Sequence, residues 1–202
     1  NYEPGSRHVC GLTAGVPAPA AGAFAEVGMF DDNDGLFWRR DETGDAFVVR
    51  SSVSGSPVER VFPRSGWDDP IDGTGWSGSN LLDTDAPIFF VAYSWFGVAD
   101  IQFGFIFDGK PILGQYVVNK DQTAPYMRTP NLPARWQLRN GGAGAAAPSS
   151  LLAACATVGS ESSAKPFGLP GAGRNDSLVA YSGAEYKTLV SMRLADGVDH
   201  TI

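Results

Sequence analysis

Charge, cysteine and histidine are all scarce in this chain of 202 residues, and no long apolar run interrupts it. Charged residues make up 18%, below the roughly 25% typical of soluble globular chains. The balance is acidic, with 15 Lys and Arg against 22 Asp and Glu for a net charge of -7. That argues against a nucleic-acid partner, because tracking a phosphate backbone needs Lys and Arg clustered on one face. No stretch approaches the roughly 20 apolar residues of a membrane helix, and no basic segment leads into an apolar one at the N-terminus, so no membrane partner is expected. Cys10 and Cys155 fit no metal-ligand spacing and are too few for a disulfide framework; both read as free thiols, with Cys155 in the core. The histidines, His8 and His200, fall in the segments expected to be least ordered, which leaves a Ser nucleophile without a base. Glu26, Glu59 and several Asp are available, but nothing pairs two of them across a cleft as glycoside hydrolysis requires. No enzymatic activity, cofactor or metal is expected, and a polymer-degrading hydrolase is the weakest functional reading.

What the chain does have is glycine, 25 residues of it, and short runs of β-branched and aromatic residues between turn signals. Residues 1–23 are rich in Pro, Ala and Gly and read as an extended arm. From Phe24 strands are expected at 24–30, 36–39, 46–53 and 58–62. The stretch 88–107 reads as two central strands broken near Gly97, followed by strands at 111–118, 151–158 and 188–194. Asp34-Gly35 and Asp108-Gly109 suit tight hairpin turns, since glycine tolerates positive φ. Residues 134–139 alternate, with Ala134, Trp136 and Leu138 on one face and Arg135, Gln137 and Arg139 on the other. The Gly/Ala segment 140–148 reads as a mobile connection. With no helical period, the expected fold is all-β, an antiparallel β-sandwich or jelly roll over 24–202 behind an extended N-terminal arm. The chain begins at Asn1 and ends soon after a strand-like run, which reads as a piece of a longer polypeptide.

An ordered series of motifs runs through this framework. It begins with Val27-Gly-Met-Phe-Asp-Asp-Asn-Asp-Gly35, Val49-Arg-Ser-Ser-Val-Ser-Gly55, Trp67 and Asp72-Gly-Thr-Gly-Trp-Ser-Gly78. It continues through Ile88-Phe-Phe, Trp95-Phe-Gly-Val98, Gln102-Phe-Gly-Phe105, Tyr126-Met-Arg-Thr-Pro-Asn-Leu-Pro133 and Leu138-Arg-Asn140, then past Cys155 to Ser191-Met-Arg-Leu194. The series, over roughly 24–194, resembles a family of virion proteins of tailed phages and large DNA viruses, mostly of unassigned role. Ser94 departs from the acidic residue common before the tryptophan, and Trp76 replaces a smaller residue. The resemblance implies a β-sandwich carried on a virion as a tail, fibre, capsid-decoration or minor capsid component, without catalytic residues. Its partners would be other copies of itself and other virion proteins.

Several residues remain as candidate contacts. Asp31-Asp32-Asn33-Asp34-Gly35 has the look of a calcium loop, but its glycine puts Phe30 at the first ligand position, so a hairpin turn is expected. Asp68, Asp69, Asp72, Asp83 and Asp85 crowd the Gly-rich segment after Trp67, where a solvated loop is the default. Trp67, Trp76, Tyr93 and Trp95 raise an alternative function, a module that binds host-surface glycan by ring stacking beside Asp72, Asp83 and Asp85. Trp95 and Trp136 read as core, whereas Trp76, between Gly75 and Ser77, is either an exposed anchor or a local plug. Pro125, Pro130 and Pro133, with Asn131, read as an extended crossing at a sheet edge that can dock a neighbouring subunit. Asn175-Asp-Ser177 fits a glycosylation acceptor, relevant only in a secretory host.

Overall fold

Short β-branched and aromatic runs fold into ten strands in the computed structural model, which describes residues 6–94, 99–120, 124–141, 147 and 149–161. They are β1 (Arg7–Gly15), β2 (Ala23–Phe30), β3 (Gly35–Asp41), β4 (Gly44–Ser51), β5 (Val58–Pro63), β6 (Ile88–Ser94), β7 (Ile101–Phe107), β8 (Lys110–Val117), β9 (Ala134–Asn140) and β10 (Leu152–Glu161). One turn of 3-10 helix at Arg64–Gly66 is the only helical element among the described residues. All strand pairs are antiparallel, in two five-stranded sheets ordered β10-β1-β6-β7-β8 and β5-β4-β3-β2-β9. Consecutive hairpins build β2 to β5 in one sheet and β6 to β8 in the other, and β9 and β10 return to pair with β2 and β1. The protein is an all-β antiparallel sandwich.

Period-two alternation fills the space between the sheets. Leu12, Trp38, Phe47, Phe89, Phe103 and Phe105 are fully buried there. Phe47 is the hub: its ring stacks on Trp67 at 3.9 Å and on Phe103 at 5.0 Å, while Trp38 meets Phe105 edge-on at 5.0 Å. Such offset and edge contacts add to the burial of large rings. Trp136 packs against the same cluster, and its indole N–H donates to the Thr13 carbonyl at 3.1 Å. The Asp108-Gly109 turn has both residues at positive φ, 50° and 74°, as a two-residue hairpin turn of this hand requires. At the β2–β3 hairpin the loop is longer, closing at the Phe30–Gly35 pair. Asp31 Oδ1 accepts the N–H groups of Asn33 and Asp34, each at 2.8 Å. Asp34 turns inward, where its carboxylate accepts the Ser52 N–H, the Ser52 hydroxyl and the Arg128 N–H.

Two expectations are corrected. The expected arm, residues 1–23, contains β1, an interior strand held on both sides by β6 and β10, so no boundary separates it from the sandwich. The cause is the period of Cys10, Leu12 and Ala14, which sends three side chains into the core despite small neighbours. His8 accordingly lies buried, its ring 5.6 Å from that of Tyr93. Cys155 is exposed on β10, while Cys10 is the buried thiol. Trp95, Gly97, most of the 140–148 connection, Asn175, the 188–194 run and His200 lie outside the described residues.

The sheet of β2, β3, β4, β5 and β9 carries a charged network on its outer face. Glu26, fully buried, accepts from Arg39 at 2.6 and 2.9 Å and from Arg139 at 3.0 Å. Glu59 accepts from Arg39 and from Arg50. Guanidinium groups lie over the rings of Phe24, Phe30 and Phe37 at 4.5–5.7 Å, adding cation–π attraction.

Candidate functional site

The Gly-rich segment 68–85, between the 3-10 turn and β6, is built around two side chains. Arg64 spans its base: Nε donates to the Pro70 carbonyl at 2.7 Å, Nη2 to the Leu81 carbonyl at 3.1 Å and to that of Ile71, and Nη1 pairs with Asp45 at 3.2 Å. Ile71 and Leu81 plug into the core, joined by a Leu81 N–H to Ile71 carbonyl bond of 2.8 Å. Asp69 organises the tip. Its fully buried carboxylate accepts the N–H groups of Ile71 and Ser77, both at 2.9 Å, while its own N–H donates to Gly114 on β8 at 3.1 Å. Residue 75 passes so close that a Cβ there would stand 1.9 Å from Asp69 Oδ1, which only glycine avoids.

This scaffold presents Trp76 with 69% of its surface in solvent, an exposed anchor rather than a local plug. Trp67 and Tyr93 do not join it. Trp67 is buried on Phe47, with its indole N–H donating to the Phe62 carbonyl at 2.8 Å. Tyr93 is buried, its hydroxyl donating to the Pro130 carbonyl at 3.2 Å.

The carboxylates divide as well. Asp72 is exposed and accepts the Thr74 hydroxyl at 2.6 Å and the Thr74 N–H at 2.9 Å; those bonds, the hydroxyl foremost, hold its carboxyl below the usual range. Asp83 is exposed and pairs with Arg40 at 3.1 Å. Asp85 accepts the Leu82 N–H at 2.8 Å, closing a local turn. Asp68 ties the loop to β8 through the Tyr116 N–H at 2.7 Å. Asp72 and Asp83 share a groove of about 810 Å³ with Arg40, Asp41, Arg64 and Asn80, and Trp76 and Asp85 stand outside its lining. Among the described residues, no three His, Cys, Asp or Glu side chains are placed to hold a metal ion.

The proline-rich crossing leads from β8 to β9 and closes one end of the sandwich. Tyr126, Met127 and Leu132 are buried there, while Pro125, Asn131 and Pro133 face solvent and Pro130 is half-buried. The Pro133 carbonyl accepts the Phe30 N–H at 3.1 Å and so sets the entry into β9.

Among the described residues four strands stand at sheet edges: β5, β8, β9 and β10. β5 carries Glu59, Arg60 and Pro63, β8 begins with Lys110 and Pro111, and β9 carries Arg135 and Arg139. Charges and prolines of this kind block pairing with another chain. β10, Leu-Ala-Ala-Cys-Ala-Thr-Val-Gly-Ser-Glu, has no proline and one charge at its last residue. Every residue from 152 to 160 is exposed, Leu152 to 60% and Val158 to 54%, so both faces of the strand project beyond the core.

Compared with known proteins, the chain matches no family model and no curated sequence.

Sequence reasoning grouped Asp69 with the other loop carboxylates without its ordering role, and did not name Arg64 or β10 as an edge. For β10 a signal was present: a ten-residue run of small and β-branched residues with a single terminal charge.

Proposed function

We propose that the chain is a non-enzymatic structural component of a virus particle that assembles through its sheet edges, as a capsid-decoration, minor capsid, tail or fibre protein. The observation that carries this reading is β10, which among the described edge strands has neither internal charge nor proline and buries neither face. A sheet-edge strand without charge or proline favours backbone pairing with another chain. The ordered motif series from Val27 to Leu194, similar to virion proteins, supports the same reading. Mass spectrometry of intact, purified virions is the test. Hundreds of copies relative to the major capsid protein put the chain on the shell, and a few to a few dozen put it at a tail or vertex fibre. A chain absent from washed particles refutes the proposal.

One observation favours a second reading, a host-surface glycan-binding module. Trp76 is exposed on a loop fixed by Asp69 and Arg64, and a preordered ring loses little freedom on stacking against a sugar. Glycan-array binding abolished by Trp76→Ala supports it, and an array without signal for the unaltered chain rejects it.

A further inference from the structure

We infer that the finger carrying Trp76 and the groove at its foot form one saccharide site, which takes neutral or amine-bearing sugars and rejects anionic ones. The inference rests on the glycan-binding reading above and names the class of glycan.

The finger, residues 72–80, holds its ring in place. Asp72 and Asn80 pair as an antiparallel bridge at its foot, and the Gly73 N–H donates to the Ser79 carbonyl at 2.9 Å. Further out the Gly78 N–H donates to the Gly75 carbonyl at 3.1 Å, and the buried Asp69 carboxylate holds the Ser77 N–H. Trp76 stands at the tip, exposed. A ring fixed in this way stacks on the apolar face of a sugar with little loss of freedom.

The two foot residues, Asp72 and Asn80, also line the groove of about 810 Å³. Tip and foot are four residues apart, at most about 14 Å of extended chain, so an oligosaccharide can engage the ring and the groove together.

Hydrogen-bonding capacity in the groove decides what such a ligand carries. The buried Arg40 gives Nε and Nη2 to the Asp45 carboxylate at 2.6 and 3.0 Å, and Nη1 to the Val16 carbonyl and to Asp83. Arg64 is held by Asp45 and three backbone carbonyls, and Arg39 by Glu26 and Glu59. Each guanidinium lining the groove therefore already faces a carboxylate.

The acceptors are less occupied. Asp41 and Asp72 each use Oδ1 alone, on the N–H and hydroxyl groups of Thr43 and Thr74 at 2.6–2.9 Å. Among the described residues neither carboxylate forms an ion pair, and the segment 68–85 contains no Lys or Arg. Asn80, exposed beside them, adds an amide that both donates and accepts.

A ligand for this groove brings donors. Sugar hydroxyls bond charged acceptors more strongly than neutral ones, and an ammonium group adds charge attraction. A carboxylate, sulfate or phosphate meets negative charge that nothing nearby neutralises. One like-charge contact at 4 Å weakens binding about fivefold even in water. The ring and the amide beside the carboxylates suit a sugar better than a peptide cation, which the carboxylates alone would serve.

A glycan array of neutral, amine-bearing and anionic members, probed with the full chain, is the first step of the test. The expected binders carry no anionic group. Calorimetry then compares the best binder with the same saccharide after its primary hydroxyls are oxidised to carboxylates. The oxidised form is expected to bind at least tenfold more weakly. In the double variant Asp41→Asn with Asp72→Asn an acceptor oxygen stays at each position and both charges go, so that ratio should shrink about tenfold. Overlaid circular dichroism melts of variant and parent establish that the variant is folded.

An anionic glycan among the strongest binders overturns the inference, as does an oxidised form that binds equally well or a ratio unchanged in the double variant. Each of these leaves the glycan-binding reading standing. An array without any signal removes that reading and this inference with it, and binding to an oligolysine peptide in its place points to a protein partner.

Discussion

Replacing Asp69 with alanine removes the acceptor for two backbone donors, the N–H groups of Ile71 and Ser77, each bonded at 2.9 Å. The carboxylate is fully buried, so neither donor has water waiting beside it. An orphaned buried donor costs about 1–3 kcal/mol, and partial entry of water into a surface loop keeps the pair near about 2–4 kcal/mol. For a domain of this size, 1 kcal/mol shifts the melting temperature by roughly 2–4 °C, so Asp69→Ala should melt about 4–16 °C below the unaltered protein. Asp69→Asn recovers only part of this, because the amide offers one acceptor oxygen and turns an NH2 toward the second donor. Asp72→Ala is the control: its carboxylate is exposed and serves only a local turn at Thr74, so its melting curve should overlay the parent's. Far-UV circular dichroism reads the melts, and amide exchange over 69–81 reports whether the loop loosens. An Asp69→Ala protein that melts with the parent and keeps slow exchange at Ser77 would refute the assignment of Asp69 as the organiser of the Trp76 loop.

Three further outcomes follow from the geometry. Glu26→Gln should cost about 3–5 kcal/mol in chemical denaturation, because it leaves the guanidinium groups of Arg39 and Arg139 without their buried counter-charge. Burial raises the Glu59 carboxyl, but its bonds to and charge attraction with Arg39 and Arg50 outweigh that and hold it below its ordinary 4.5. Its contribution is thus present above pH 4.5 and lost as pH falls through the folded value, so Glu59→Gln should flatten the acid limb of a stability profile taken between about pH 3 and 7. In a maleimide time course at neutral pH the exposed Cys155 should react first, with Cys10 labelled only on unfolding, which mass spectrometry of the digested protein resolves.

Much of the fold was legible in local chemistry. β2, β4, β7, β8 and β9 each sit within a residue or two of the expected runs, because alternation and turn residues act over a few neighbours. β1 was hidden because Pro, Ala and Gly dominate residues 14–22 and draw attention from the alternation of Cys10, Leu12 and Ala14. The outer-face network could not be read at all. Glu26 meets Arg39, and Arg50 meets Glu59, only once strand register is set, and register is a long-range property. In the loop, composition gave the carboxylates and Trp76 but not their division of labour. That Asp69 is buried while Asp72 and Asp83 are exposed depends on β8 and Arg64 closing over one side. Trp67 and Tyr93 were weighed as surface rings, and the core claimed both because large apolar area outweighs a single polar atom that can be satisfied inside.

Amide hydrogen exchange along β10, compared between the isolated chain at high dilution and the chain in intact virions, addresses assembly through this edge most directly. The account predicts that amides in 152–161 pointing away from β1 exchange fast in the dilute chain and become strongly protected on the particle. Equal, fast exchange in both states would contradict it.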